Sequence, residues 1–212
     1  MPAKKDTGAA KPKAPARPRR APRKTPTLHL LRVTLRHASP PIWRRLLVPS
    51  EVDLGTLHTL LQAVMGWGNQ HPHQFVAQGR RISSPDFELE AGEGEEILDE
   101  NAMPLERIAP QGGDAFVYEY DFGDRWDHDV VVEEVREVDA GPLLWCLDGA
   151  RACPPDDCGG VPGYEQMIEA LASPGTPEHE QTVEWLGGGF DPEAFDARAV
   201  NRELTRWVVT RA

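Results

Sequence analysis

The sequence predicts an α+β fold: a single domain on a mixed, largely antiparallel sheet, with one early helix and a carboxy-terminal helical cluster, preceded by a disordered basic tail. Three observations carry this. Period-two alternation of apolar residues marks the start and middle of the body, helical spacing takes over after about residue 160, and no repeat or alternating βαβ pattern is present. The 212 residues suffice for one well-cored domain.

Residues 1–26 hold nine Lys/Arg against the single acid Asp6, six prolines, no aromatic residue and no Ile, Leu or Val. That composition predicts a disordered tail, and the domain is assigned to residues 27–212. The basic, Pro-interrupted tail suits non-specific contact with nucleic-acid phosphate; a solubilising extension explains the same letters.

Leu31, Val33 and Leu35 share one parity, so residues 28–36 read as a half-buried strand. Pro40 and Pro41 break it, and Ile42, Leu46 and Val48 resume one apolar face. Asp53 fits a helix N-cap, Leu54, Leu57, Leu61, Val64 and Met65 follow at helical spacing, and Gly66 is a natural stop. Extended runs are expected near 73–78 and 80–83, then a long irregular excursion with little core over 84–114. Residues 116–122 and 127–138 read as a hairpin around Gly123-Asp124-Arg125, and 139–162 as a Gly/Pro/Cys-rich loop. Tyr164, Met167, Ile168 and Leu171 make a helix stripe, and a second helix spans about 177–186. A third is expected to open at Asp191-Pro192, with Val200, Leu204, Trp207 and Val208 on its apolar face.

The formal charge of −11 averages two unlike parts. The tail carries +8 and the body −19, with no lysine after Lys24, which excludes a basic nucleic-acid-binding core. No apolar run approaches the roughly 18 residues of a spanning helix, and no apolar segment follows the basic amino terminus as in a signal peptide. Three cysteines, an odd number, suit reduced thiols or a metal site, and a cytoplasmic protein without membrane contact is expected.

Four clusters hold residues suited to chemistry. Trp43, Arg44 and Arg45 offer cation–π stacking and an anion-facing surface, or a packed Trp with paired arginines. His71 and His73, at i and i+2 on an extended segment, are placed to share a metal or an anion, or to satisfy backbone groups; His58 lies one helix earlier. Asp121, Asp124, Trp126 and His128 gather at the hairpin: the acids suit a hard cation or could orient His128, whose strand parity matches core residues Val130 and Val132. Cys146, Cys153 and Cys158 could hold Zn²⁺ with His128, or with His71 or His73, as fourth ligand, although no Cys-x-x-Cys knuckle is present. Asp156 and Asp157 follow Pro154-Pro155 and precede Gly159-Gly160, paired carboxylates beside glycines that admit a close ligand. Phosphate-loop, dinucleotide-binding, nucleophile-elbow and His-Glu-x-x-His motifs are all missing.

Eight ordered segments together resemble the plasmid pRiA4b ORF-3-like protein family. They are Pro-Ile-Trp-Arg-Arg at 41–45, Leu57-His58, Met65-Gly66-Trp67, His71-x-His73-x-Phe75, the run from Tyr118 to His128, Cys-Pro-Pro-Asp-Asp-Cys-Gly-Gly at 153–160, Gly163-Tyr164, and Phe190-Asp191-Pro192 with Phe195-Asp196. The resemblance spans about residues 27–208 and implies an α+β domain found among insertion-element passenger proteins, with no established activity. Asp156 stands where the family pattern leads one to expect Glu. The expected function is a mobile-element accessory domain that binds a partner protein or nucleic acid, with the tail adding phosphate affinity. The alternative is a metal-dependent, phosphoester hydrolase-like enzyme in which Asp121, Asp124, Asp156 and Asp157 hold a cation and His128 acts as base.

Overall fold

The computed structural model describes residues 25–92, 94–139 and 144–211, with side chains described up to residue 206. The tail residues 1–24 and the side chains of Trp207 and Val208 lie outside the described residues.

Eight strands form one open sheet: β1 (Thr27–Leu35), β2 (Trp43–Pro49), β3 (His73–Ala77), β4 (Arg80–Ser83), β5 (Ile97–Asp99), β6 (Ala115–Tyr120), β7 (Trp126–Glu137) and β8 (Trp145–Ala150). Their spatial order is β5-β4-β3-β6-β7-β1-β2-β8. Every pairing is antiparallel except that of β4 with β5.

The registers Leu31↔Leu46 and Val33↔Arg44 in β1–β2, and Leu31↔Val132 and Val33↔Val130 in β1–β7, set one apolar face of the sheet. Helix α1 (Leu54–Met65) packs Leu54, Leu57, Leu60, Leu61 and Val64 into the same core cluster, each buried leucine contributing about 2 kcal/mol. Asp53 caps it by accepting a hydrogen bond from Thr56 N at 2.8 Å, and Gly66, left-handed at φ 88°, ends it. The opposite sheet face is polar and charge-paired, as in Arg45 with Glu133 at 2.7 Å and Arg36 with Asp129 at 2.6 Å.

The remaining helices are α2 (Leu105–Ile108), α3 (Gly160–Leu171), α4 (Pro177–Leu186) and α5 (Ala197–Arg211). No helix among the described residues is long and apolar enough to cross a membrane.

Three stretches differ from expectation. Within the segment read as irregular, β5 extends the sheet and Met103, Leu105, Ile108 and Ala109 are buried. These elements are three or four residues long, too short for periodicity to register. The loop expected over 139–162 contains β8, whose alternation is broken by a register shift opposite Arg45 and Leu46. Finally, α5 begins at Ala197 rather than after Pro192: Asp191 accepts from Glu193 N in a local turn, and Asp196 Oδ1 accepts from Arg198 N at the start of α5.

Candidate metal centre

Three loops meet at one end of the sheet: residues 66–72 after α1, the tip of the β6–β7 hairpin, and residues 151–159 after β8. Backbone and side-chain bonds tie them together. Asp121 N donates to Pro72 O at 2.9 Å, and Trp67 Nε1 to Pro154 O at 2.8 Å. Gly68 N donates to Asp156 Oδ2 at 3.1 Å, and Gly159 N to Asp124 Oδ2 at 3.1 Å. Gly160 is left-handed (φ 69°), and a Cβ there would sit 2.5 Å from Asp124 O, so only glycine lets α3 start this close to the hairpin. At Gly163 a Cβ would collide with Cys158 O, which holds the loop against the first turn of α3.

At the centre of this junction stand His71, Asp121 and Asp157. Asp121 is left-handed (φ 58°) and largely buried. Its Oδ1 accepts from Gly123 N at 2.9 Å and Asp124 N at 3.2 Å, which leaves Oδ2 facing His71 Nε2 at 3.7 Å. Asp157, also left-handed (φ 59°), places Oδ1 3.3 Å from the same nitrogen. The three ligand atoms all lie within 4.8 Å of one another. Tetrahedral coordination with bonds of about 2.1 Å puts ligand atoms about 3.4 Å apart, so the spacing suits a cation between them. His71 Nε2 is buried without an aligned hydrogen-bond partner, and so is Asp156 Oδ1 nearby. His73 Nδ1, Trp126 Nε1, His128 Nε2 and Tyr164 OH also lack such a partner, so what sets His71 apart is the two carboxylates that face it.

Beside the junction, a groove of about 690 Å³ runs between α3 and α4 from Asp157 and Cys158 past Met167 to Trp185. Trp185 is 52% exposed.

Of the sequence candidates, the junction gathers His71, Asp121, Asp124, Asp156 and Asp157. His71 and His73 do not share a site. His73 turns into the core, where Nε2 meets Glu100 Oε2 at 2.7 Å and the ring stacks on His58 with centroids 3.3 Å apart. His58 bonds Tyr118 OH and Asn69 Oδ1, and burial together with His73 pushes it down to about 3. His128 is fully buried; its Nδ1 meets Tyr118 O at 3.2 Å, and burial pushes it down to about 4. Trp126 is equally buried, stacked on Trp67.

Trp43 lies on the charged sheet face with the Arg32 guanidinium 4.1 Å above its ring, and Arg45 is paired with Glu133. Arg44 follows the parity of Leu46 into the core. There it donates to Val64 O, Trp43 O and Ala150 O, and to Cys153 Sγ at 3.0 Å.

The three thiols have separate surroundings: Cys146 near Asp148 O, Cys153 against Arg44 and Met65, and Cys158 near Gly160 O. Burial raises Cys146 and Cys153 to about 11 and Cys158 to about 12, the last also through Asp124, Asp156 and Asp157. Among the described residues, the only group placed to hold a metal combines His71, Asp121 and Asp157, without a thiol.

Sequence reasoning missed Glu100, which lies in the stretch read as irregular, and the α3–α4 groove. The one available signal was Trp185, a large apolar residue on a helix otherwise rich in Glu.

A protein-family model described as plasmid pRiA4b ORF-3-like protein matches residues 27–199. The uncharacterized protein y4hQ of Sinorhizobium fredii (strain NBRC 101917 / NGR234) is 36% identical over 178 residues, 82% of this chain and 89% of the relative. The crystal structure of a protein of unknown function, MM3350 from Methanosarcina mazei Go1, superposes with a TM-score of 0.70 at 33% identity, covering 83% of this chain and 97% of that one.

Proposed function

The chain belongs to the plasmid pRiA4b ORF-3-like protein family, and from that premise we propose that it is a cation-binding accessory domain of mobile elements. In this reading His71, Asp121 and Asp157 hold one divalent cation where the three loops meet. The metal cross-links loops that are far apart in sequence and fixes the head of the α3–α4 groove as a partner-binding surface. The observation that carries the reading is the buried His71 Nε2, which has no aligned hydrogen bond and faces two carboxylates at ligand spacing. One imidazole and two carboxylates suit Zn²⁺ or Mn²⁺ better than a soft, thiolate-seeking ion. A cytoplasmic setting is supported by three cysteines that pair with other groups rather than with one another.

Equilibrium dialysis of the full chain against Zn²⁺ and Mn²⁺ tests the proposal. One tightly bound equivalent is expected, and it should be lost in His71→Ala and Asp157→Ala. Binding left intact in both variants would reject the centre.

A second reading is metal-dependent phosphoester hydrolysis, favoured by Asp156 Oδ1, a buried carboxylate oxygen beside the centre without a partner. In that chemistry His71, Asp121 and Asp157 would hold the cation, and Asp156, rather than the enclosed His128, would be the proton acceptor beside it. Metal-stimulated cleavage of a simple phosphodiester, abolished in Asp156→Asn with metal content unchanged, is the expected result.

A further inference from the structure

The α3–α4 groove joins acidic charge to an aromatic wall; residues 82–106 are also acidic and free of Lys and Arg, but they carry no Trp. Residues 152–197 contain ten Asp/Glu and no Lys or Arg. Among the described residues, none of Glu165, Glu169, Glu178, Glu180 and Glu184 is held in an ion pair, whereas Arg36, Arg45 and Arg81 of the sheet and Arg202 and Arg206 of α5 are. Glu169 and Glu178 line the groove, alongside the apolar surface of Met167 and the half-exposed indole of Trp185. An acidic trough with an aromatic wall is complementary to a basic, proline-bearing strand: carboxylates take the cationic heads while the indole packs on proline rings and aliphatic stems.

The chain itself carries such a segment. Residues 1–24 hold nine Lys/Arg, one acid and five prolines, and every lysine of the protein lies among them. We propose that the α3–α4 groove is the docking surface for the chain's own basic segment, residues 1–24. The contact goes beyond the metal centre: Glu169 and Glu178 are not metal ligands, and Asp157 alone belongs both to that centre and to the groove.

Reach permits the contact. The described chain starts beside β1, whose Thr27 pairs with Glu137, while the groove lies near the opposite end of β7, at the hairpin tip. The nine residues of β1 span about 30 Å, and 24 extended residues span up to about 80 Å. A docked basic segment would lower the local repulsion among the α3 and α4 carboxylates. It would also be displaced by any polyanion that competes for its lysines and arginines.

The placement of the lysines supplies the test. Zero-length carbodiimide coupling joins a lysine amine to a carboxylate only when the two are in contact, so each Lys–Asp/Glu link within one molecule must connect residues 1–24 to the body or to Asp6. The experiment uses the full chain at low ionic strength and low concentration, with the links mapped by mass spectrometry. Mixing isotopically light and heavy protein identifies links between copies. The expected result is intramolecular links from Lys4, Lys5, Lys11, Lys13 or Lys24 concentrated on Glu169 and Glu178. They should fall severalfold at about 0.5 M salt, and the Trp185 environment should shift in parallel. In Glu169→Gln/Glu178→Gln, where those two links cannot form, coupling to the neighbouring Glu165, Glu180 and Glu184 should also fall, and salt should no longer shift the Trp185 environment. Links spread evenly over body carboxylates, links absent altogether, or links only between light and heavy copies would each overturn the proposal.

Discussion

His71 Nε2 lies 3.3 Å from Asp157 Oδ1, although one residue precedes β3 and the other follows β8. The two strands are not neighbours: β6, β7, β1 and β2 stand between them in the sheet. Only the loops at this end, crossing over the core, bring the two side chains together. A cation held there would therefore staple parts of the chain that the sheet leaves far apart, and loss of the junction should propagate to the metal site.

Arg44 is the first place to test that coupling. Its guanidinium is buried and satisfied by three carbonyls and a thiol. Arg44→Met keeps most of the apolar stem but strands the carbonyls of Val64, Trp43 and Ala150. A loss of about 3 kcal/mol in urea unfolding is expected, because buried acceptors of charge-assisted bonds lose their partner. A change below about 0.5 kcal/mol would show that the buried arginine does not hold the Cys/Asp loop.

Gly160 tests the close approach of α3 to the hairpin. Ala at this left-handed position would press its Cβ on Asp124 O. Gly160→Ala should destabilise the fold by about 2 kcal/mol and weaken metal binding through displacement of Asp157. Unchanged unfolding and unchanged dialysis would mean that the loop adapts without cost.

The buried histidines set a pH dependence. His58 (about 3) and His128 (about 4) are held below the ordinary value of 6.5 by burial. The unfolded chain therefore binds protons that the folded chain refuses, and stability falls as the pH drops from 6.5 towards 4. Each histidine contributes a slope of about 1.4 kcal/mol per pH unit in that window. Unfolding free energies measured from pH 7 to pH 4.5 should decline accordingly, and the decline should be shallower in His128→Gln. A flat profile would contradict the assignment of both rings as buried and neutral.

Much of this fold is legible from local chemistry. The Asp53 cap, the leucine stripe and the Gly66 stop define α1 residue by residue, and the Gly123-Asp124-Arg125 cluster places the β6–β7 turn. What escapes is the material whose structure depends on distant partners. The strand β5 has three residues and exists because β4 offers it an edge. The strand β8 sits on β2 through a register shift that erases its alternation. The site follows the same division. His71, Asp121 and Asp157 are recognisable as candidates by type, yet the parity of His71 and His73 suggests a pair that the structure separates, because His71 precedes the strand and only His73 obeys its pleat. The left-handed backbone at Asp121 and Asp157, which turns both carboxylates to one imidazole, has no signature in the sequence. The same parity argument, applied to Ile42, Leu46 and Val48, would have sent Arg44 into the core.

The proposed function stands or falls on a cation among His71, Asp121 and Asp157. Anomalous diffraction from crystals of the full chain grown with Zn²⁺ tests it most directly. One strong peak is expected within coordination distance of His71 Nε2, Asp121 Oδ2 and Asp157 Oδ1. A peak on Cys146, Cys153 or Cys158 instead, or no ordered peak at the loop junction, would contradict it.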